Sequence, residues 1–81
     1  MAEVHLWSGL RSLADGKEMV EVPGATVGQV LDSLVAAHPG LEPALQRGVS
    51  VAVDGQIVPN SRNHPVDPDS EIFLLQKLAG G

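Results

Sequence analysis

The stretch Thr26-Val27-Gly28-Gln29-Val30-Leu31-Asp32-Ser33-Leu34-Val35 decides the fold of this chain. Thr26 and Gln29 have the spacing of a capping box, so we predict that Thr26 caps a helix and that the Gln29 side chain reaches back to the Thr26 amide. The apolar residues that follow fall on one helical stripe: Val27, Val30, Leu31, Leu34 and Val35. A helix with a single apolar stripe needs one face of a sheet to cover it.

Downstream of this helix the chain stays irregular or briefly helical. The helix is predicted to end at His38, because Pro39 disfavours helical geometry in the residue before it. Residues 41–47 are predicted to form a short helical turn that ends at Gly48.

Two strands are predicted before the helix. Residues 3–8 alternate in polarity, with Val4 and Leu6 on one side, and residues 17–22 alternate in the same way. Residues 14–16 have turn chemistry. Because a loop rather than a helical crossover is expected between these strands, they should pair antiparallel.

Three strands are predicted after the helix. Residues 49–53 alternate, the pair Asp54-Gly55 is a favoured hairpin turn, and residues 56–58 form the short returning strand. Residues 59–70 hold three prolines and are predicted to be a loop that touches the core through Val66. Residues 71–76 are apolar on both sides, which favours a central place in the sheet.

Together these elements predict an α+β protein with one main helix on one face of a mixed sheet of four or five strands. This is the β-grasp, or ubiquitin-like, arrangement. A ferredoxin-like fold would need a second long helix, which the proline-containing residues 59–70 cannot supply. We expect residues 1–76 to be one β-grasp domain and residues 77–81 to be a flexible C-terminal diglycine tail.

Composition excludes several classes of protein. The 81 residues suffice for one small domain, and the apolar runs are too short for a transmembrane helix. The absence of cysteine excludes disulfides and thiolate chemistry. A net charge of −5 argues against nucleic acid and anionic membranes as partners and is compatible with a basic protein surface. Nothing at the N-terminus suggests secretion, so we expect a cytoplasmic location.

Signatures of catalysis or metal binding are scarce. His5, His38 and His64 are far apart in sequence and are interpreted as a strand, a helix-end and a loop residue, respectively. The acids Asp67, Asp69 and Glu71 offer too few ligand positions for calcium and are interpreted as a solvated turn. We therefore predict neither a metal site nor a bound cofactor.

The chain ends in Leu78-Ala79-Gly80-Gly81. Two terminal glycines occur by chance in about one chain in 200. If pairing stops near Gln76, the last five residues extend at most about 17 Å from the sheet. A frayed end is one interpretation. The other is an arm that presents the Gly81 carboxylate, unhindered by a side chain, to an enzyme that activates it and supplies all the catalytic groups.

The chain resembles the MoaD/ThiS family of bacterial ubiquitin-like sulfur carriers, essentially from end to end. Three internal segments and the tail carry the resemblance: Gly9-Leu10-Arg11-Ser12-Leu13-Ala14, Pro23-Gly24-Ala25-Thr26-Val27-Gly28-Gln29-Val30-Leu31, His64-Pro65-Val66-Asp67-Pro68-Asp69-Ser70-Glu71-Ile72 and Leu78-Ala79-Gly80-Gly81. The chain departs from the molybdopterin type at Gln76-Lys77, where that type commonly has a proline pair. The body is therefore closer to the molybdopterin type and the tail to the thiamin type.

The resemblance implies a carrier rather than an enzyme. An E1-like enzyme would use ATP to adenylate Gly81, and the adenylate would become a thiocarboxylate that gives its sulfur to a synthase subunit. Gly80 would give access to the reacting carboxylate, and Leu78 and Ala79 would guide the arm. Apolar residues on the sheet face away from the helix, including Phe73 and Trp7, are candidates for docking the activating enzyme.

Three alternatives stay open on the sequence. The same tail could join target lysines, as in a protein modifier, or the glycines could be idle in an interaction module. The chain could also be the small subunit of a larger synthase. The sulfur could serve molybdopterin, thiamin thiazole, cysteine, a thiolated tRNA base or a secondary metabolite.

Overall fold

Five strands form one mixed sheet in the computed structural model, which describes residues 1–58 and 62–76. The strands are β1 (Ala2–His5), β2 (Met19–Val22), β3 (Val49–Val53), β4 (Gln56–Val58) and β5 (Glu71–Gln76), and the sheet order is β2-β1-β5-β3-β4. The pairs β1–β2, β3–β4 and β3–β5 are antiparallel, whereas β1 and β5 are parallel.

The helices are α1 (Ser8–Arg11), α2 (Val27–Ala37) and α3 (Glu42–Gln46), with 3-10 turns at Ser12–Ala14 and Pro39–Leu41. The described part of the chain has no helix long and apolar enough to cross a membrane. The single long helix on a mixed five-stranded sheet confirms the predicted β-grasp fold.

Strand β5 is central, as its two apolar sides predicted. Ile72 and Leu74 are each 1% exposed and face the core, while Phe73 and Leu75 point to the opposite side of the sheet. The core joins this inner side of the sheet to α2 through Val27, Val30 and Leu34. The other side, which α2 leaves uncovered, is called the outer face below.

The cap of α2 differs from the prediction in one contact. The Thr26 hydroxyl accepts a hydrogen bond from the Gln29 amide at 3.2 Å, as predicted. The Gln29 side-chain oxygen, however, accepts from the Ala25 amide at 2.8 Å and not from the Thr26 amide. The helix ends at Ala37 with His38 as its C-cap, and the non-helical φ and ψ of His38, −135° and 79°, agree with the steric effect of Pro39.

The connection from β1 to β2 is helical rather than a simple loop. The predicted first strand ends three residues early, at His5, and α1 begins at Ser8. Leu10 and Ala14 are 2% and 0% exposed, so this connection closes one end of the core. Their spacing of four residues is a weak helical signal that the alternation of the preceding strand obscured.

The segment after β4 lies against the start of α2. Val66 is buried, as predicted, and its amide donates to the Ala25 carbonyl at 2.9 Å. The Arg62 guanidinium donates to the Gly28 carbonyl and to the Asp32 carboxylate, at 3.2 and 2.8 Å.

Candidate functional site

The residues predicted to carry the chemistry begin where β5 ends. Gln76 is paired with Val49, and the chain continues from the middle of the sheet. Gly81, Gly80, Leu78 and Ala79 all lie outside the described residues, as does the predicted tail of residues 77–81 as a whole. The described site is therefore the surface from which this arm starts.

Phe73, predicted to contact a partner, is on the outer face with 38% of its surface exposed. It is the register partner of His5 across the parallel β1–β5 pair. The two rings stack with their centroids 4.4 Å apart and an angle of 12° between their planes. The stacking holds the phenyl ring in place while one side remains open to solvent.

An apolar patch crosses the outer face beside this stack. Ile57, Phe73 and Leu75 are exposed by 63%, 38% and 37%. Ala52 lies between Ile57 and Phe73, since it is the register partner of both. We call these four residues the outer-face patch. A contiguous apolar surface of this kind is suited to burial against another protein.

An open groove of about 300 Å³ continues the patch toward the end of β1. Trp7, Arg11, Phe73 and Leu75 contribute to its lining. Trp7 is half-buried against the core, and the Arg11 side chain donates to the Leu6 carbonyl at 3.2 Å. The groove therefore combines the aromatic side chains of Trp7 and Phe73 with the guanidinium of Arg11, and it lies next to β5, the last strand before the C-terminal residues.

Acidic groups surround His5 on the same face. Its Nε2 atom lies 3.7 Å from a carboxylate oxygen of Glu3 and 3.7 Å from one of Glu71, and it has no hydrogen-bond partner. Sequence reasoning missed this cluster because it treated His5 alone. The period-two spacing of Glu3 and His5 was visible, but only the parallel pairing of β1 with β5 adds Glu71.

The other candidate ligands are placed as the sequence predicted. His38 caps the end of α2, with its Nδ1 3.7 Å from the Asp15 carboxylate, and His64 lies in the segment beside α2. Asp67 belongs to a turn in which the Ser70 hydroxyl accepts from its amide at 2.9 Å. Within residues 1–58 and 62–76, neither of these histidines nor Asp67 belongs to a group of three possible metal ligands.

The model of the ThiS family matches residues 4–81 of the chain. The match therefore spans the sheet except for the first two residues of β1, together with the outer-face patch and the terminal glycines. No curated protein sequence matches the chain significantly.

Solved structures resemble the chain over nearly its whole length. A chain of the BexX/CysO complex from Amycolatopsis orientalis is 26% identical, with complete coverage of both chains and a TM-score of 0.87. SAMP1 of Haloferax volcanii is 30% identical, with 99% and 98% coverage and a TM-score of 0.81. A subunit of the molybdopterin-converting factor complex from Helicobacter pylori is 19% identical, with 99% and 97% coverage and a TM-score of 0.69, and this likeness concerns the fold.

Proposed function

The chain belongs to the ThiS family, and on that premise we propose that it carries sulfur as a thiocarboxylate on Gly81. The family and the similar structures make it a ubiquitin-like sulfur carrier or modifier. The observation that supports the finer proposal is that the family match continues to the terminal glycine and does not stop at the folded domain.

The proposed chemistry needs no catalytic group from the carrier. A Gly81 carboxylate oxygen attacks the α-phosphorus of ATP on the activating enzyme, and diphosphate leaves. Hydrosulfide then attacks the carbonyl carbon of this mixed anhydride, and AMP leaves with the bridging oxygen. The product is a thiocarboxylate, in which the carbonyl carbon bears sulfur in place of one oxygen. Gly80 has no side chain to obstruct the approach of the phosphate.

The outer-face patch is the proposed docking surface for the activating enzyme. Leu78 and Ala79 are proposed to guide the arm, and Phe73 to anchor the body. An apolar centre with a polar rim is typical of protein interfaces. The net charge of −5 favours a basic partner surface, because complementary potentials accelerate association. A sulfur-accepting synthase subunit is the second proposed partner, in keeping with the complexes that similar chains form.

A modifier function is the second candidate. It is favoured by the 30% identity to SAMP1, which is a small archaeal modifier protein. Here the lysine amine of a target attacks the same mixed anhydride, loses a proton and forms an isopeptide bond to Gly81, and AMP leaves. The two functions therefore share the adenylation step and differ in the nucleophile that follows.

The experiment that tests the proposal is intact-mass measurement with an E1-like enzyme, ATP and a sulfide source. Exchange of oxygen for sulfur has nearly the mass of an added oxygen, so the shift must be located on the peptide after Lys77, which holds no methionine or tryptophan. We expect an ATP-dependent shift there. Deleting Gly81, or adding one residue after it, should abolish the shift and leave thermal unfolding unchanged.

Other outcomes would contradict the proposal. Lysine-linked conjugates without any thiocarboxylate would favour the modifier. A tail-extended chain that still accepts sulfur would exclude Gly81 as the reacting residue. No modification by several such enzymes, with the protein folded, would favour an interaction module.

Docking is tested separately by replacing one exposed residue at a time. Ile57→Ser should raise the KM of the activating enzyme for the carrier by about tenfold, since an interface anchor contributes about 1–2 kcal/mol. Leu13→Ser is the matched control, because Leu13 is also exposed, by 42%, but is not part of the outer-face patch. Equal effects of the two changes would exclude the patch as the docking surface.

A further inference from the structure

We propose that Glu3, His5 and Glu71 bind one divalent transition-metal ion of the zinc type on the outer face of the sheet. This site is separate from Gly81, and the proposed carrier chemistry does not require it. The two proposals can therefore fail independently.

The topology brings the three side chains together from opposite ends of the chain. Glu3 and His5 are two residues apart on β1 and so share a face. Glu71 is the register partner of Glu3 across the parallel β1–β5 pair. Both strands are held in the sheet on each side, so the ligand positions are fixed by backbone pairing.

The distances suit a metal ion placed between the three groups. His5 Nε2 is 3.7 Å from each carboxylate oxygen, and the three ligand atoms all lie within 4.8 Å of one another. Two ligands about 2.1 Å from zinc at a tetrahedral angle are about 3.4 Å apart. The two His–Glu distances are thus close to this value, whereas the two carboxylate oxygens are within 4.8 Å of each other and must move closer together on binding. The side chains of Glu3 and Glu71 are 45% and 57% exposed, so they have room to rotate toward the ion.

The Nε2 atom of His5 is the observation that points to a ligand. The His5 side chain as a whole is 30% exposed, but this one atom is shielded from solvent. It has no hydrogen-bond partner among the described residues, and 3.7 Å is too long for a hydrogen bond. The stacked ring of Phe73 sets the plane of the imidazole. An ion between Nε2 and the carboxylates would satisfy this nitrogen without moving the ring.

The charge of the surrounding surface favours a cation. Glu3 is the register partner of Glu21 on β2 as well as of Glu71 on β5, so three glutamates form a row across adjacent strands. Like charges directly opposite each other destabilise a sheet. A divalent cation bound to two of the carboxylates would neutralise their combined charge.

The ligand set selects the class of ion. Calcium needs six to eight oxygen ligands and magnesium prefers oxygen and water, whereas imidazole with carboxylates suits zinc and its neighbours. Three protein ligands leave a coordination position for water or for a group from a partner.

The test is isothermal titration of the full-length protein with Zn²⁺, with Co²⁺ absorption as a second readout. We expect one ion per chain, with Mg²⁺ and Ca²⁺ unable to displace it at equal concentration. His5→Gln and Glu71→Gln should each weaken Zn²⁺ binding at least tenfold. Glu21→Gln is the matched control, since it removes the same charge from the same row but no ligand, and it should change the affinity less than threefold.

Circular dichroism establishes that each variant is folded, and Glu71→Gln, at an exposed position, serves if His5→Gln does not fold. Deletion of Gly81 should leave Zn²⁺ binding unchanged while abolishing the proposed sulfur loading. Absence of saturable binding would overturn the site. Equal weakening of Zn²⁺ binding by Glu21→Gln and Glu71→Gln would also overturn it, because it would indicate only a general attraction of the cation to negative charge. Loss of Zn²⁺ binding in His64→Gln but not in His5→Gln would place the ion elsewhere and overturn it as well.

Discussion

Thr26 shows how a single side chain sets the start of the main helix. Its hydroxyl accepts from the Gln29 amide, while Gln29 in turn accepts from the Ala25 amide. Two backbone donors at the start of α2 are thereby satisfied by side chains that lie three residues apart. The Gln29 side chain accepts from the Ala25 amide and not from the expected Thr26 amide, but a backbone donor is satisfied in either case.

Replacing the cap should weaken the whole domain. Thr26→Ala removes the acceptor for the Gln29 amide, and we expect the free energy of unfolding to fall by about 1 kcal/mol in urea titration. Thr26→Ser keeps the hydroxyl and should be within about 0.5 kcal/mol of the parent chain. If the serine variant were as unstable as the alanine variant, the methyl group and not the cap would be responsible.

Gly24 is required by a close approach of two backbone segments. A Cβ atom at this position would lie 2.7 Å from the backbone nitrogen of Val30, closer than packing allows. We expect Gly24→Ala to lower the free energy of unfolding by about 1–3 kcal/mol, the range for overpacking.

The control for this prediction is Gly40→Ala. The nearest atom to a Cβ there would be the Leu13 carbonyl oxygen at 3.5 Å, an ordinary contact. Both variants should be compared in the same urea titration, and equal losses would show that the crowding at Gly24 is not the cause.

At the scale of elements, the hairpin between β3 and β4 is tied to the central strand. Asp54 and Gly55 both have positive φ, 50° and 87°, as the favoured two-residue turn requires. The Asp54 amide donates to the Glu71 carbonyl, and its carboxylate accepts from the Glu71 amide, each at 2.9 Å. The turn therefore also anchors the first residue of β5.

Asp54→Ala removes this anchor and places alanine in a left-handed conformation. We expect the free energy of unfolding to fall by about 1–2 kcal/mol. Asp54→Asn keeps an acceptor oxygen and tolerates the same φ, so it should remain within about 0.5 kcal/mol of the parent. Thermal or urea unfolding, monitored by circular dichroism, compares the stability of the two variants. An Asp54→Ala variant as stable as the parent chain would contradict the anchoring role.

At the scale of the whole molecule, stability depends on one small core. Leu34 is 0% exposed and belongs to the cluster that joins α2 to the sheet. Leu34→Ala should lower the free energy of unfolding by about 2–5 kcal/mol. A domain of this size has a total of about 4–12 kcal/mol, so this single change would remove a large share of the stability.

Leu13→Ala is the control for that prediction, because Leu13 is 42% exposed. It should change the free energy of unfolding by less than about 0.5 kcal/mol. Chemical denaturation of both variants gives the comparison, and a Leu34→Ala loss below 1 kcal/mol would contradict a single cooperative core.

The parallel pairing of β1 with β5 organises the functional surface. It stacks Phe73 on His5, gathers Glu3 and Glu71 around the imidazole, and places the origin of the tail beside the outer-face patch. The proposed docking surface and the proposed cation site thus lie on one side of the sheet, while the other side packs against α2.

Local sequence patterns were sufficient to predict α2, the hairpin turn and the central place of β5. Each of these signals lies within a few residues: the capping pair Thr26 and Gln29, the turn pair Asp54-Gly55, and a strand that is apolar on both sides. The diglycine tail and its proposed chemistry were also predicted from the sequence, but they lie outside the described residues, so no contact tests them. The helical link between β1 and β2 was missed because Leu10 and Ala14 become core residues only when the sheet closes over them.

The cluster of Glu3, His5 and Glu71 was decided by tertiary structure alone. No residue near His5 in the sequence predicts that Glu71 will be its neighbour, because β1 and β5 are far apart in the chain and meet only through their parallel pairing. The same holds for the outer-face patch of Ala52, Ile57, Phe73 and Leu75, whose members come from the three neighbouring strands β3, β4 and β5. Hydrophobic alternation determines which side chains share a face of one strand, but only register between strands determines which of them become neighbours.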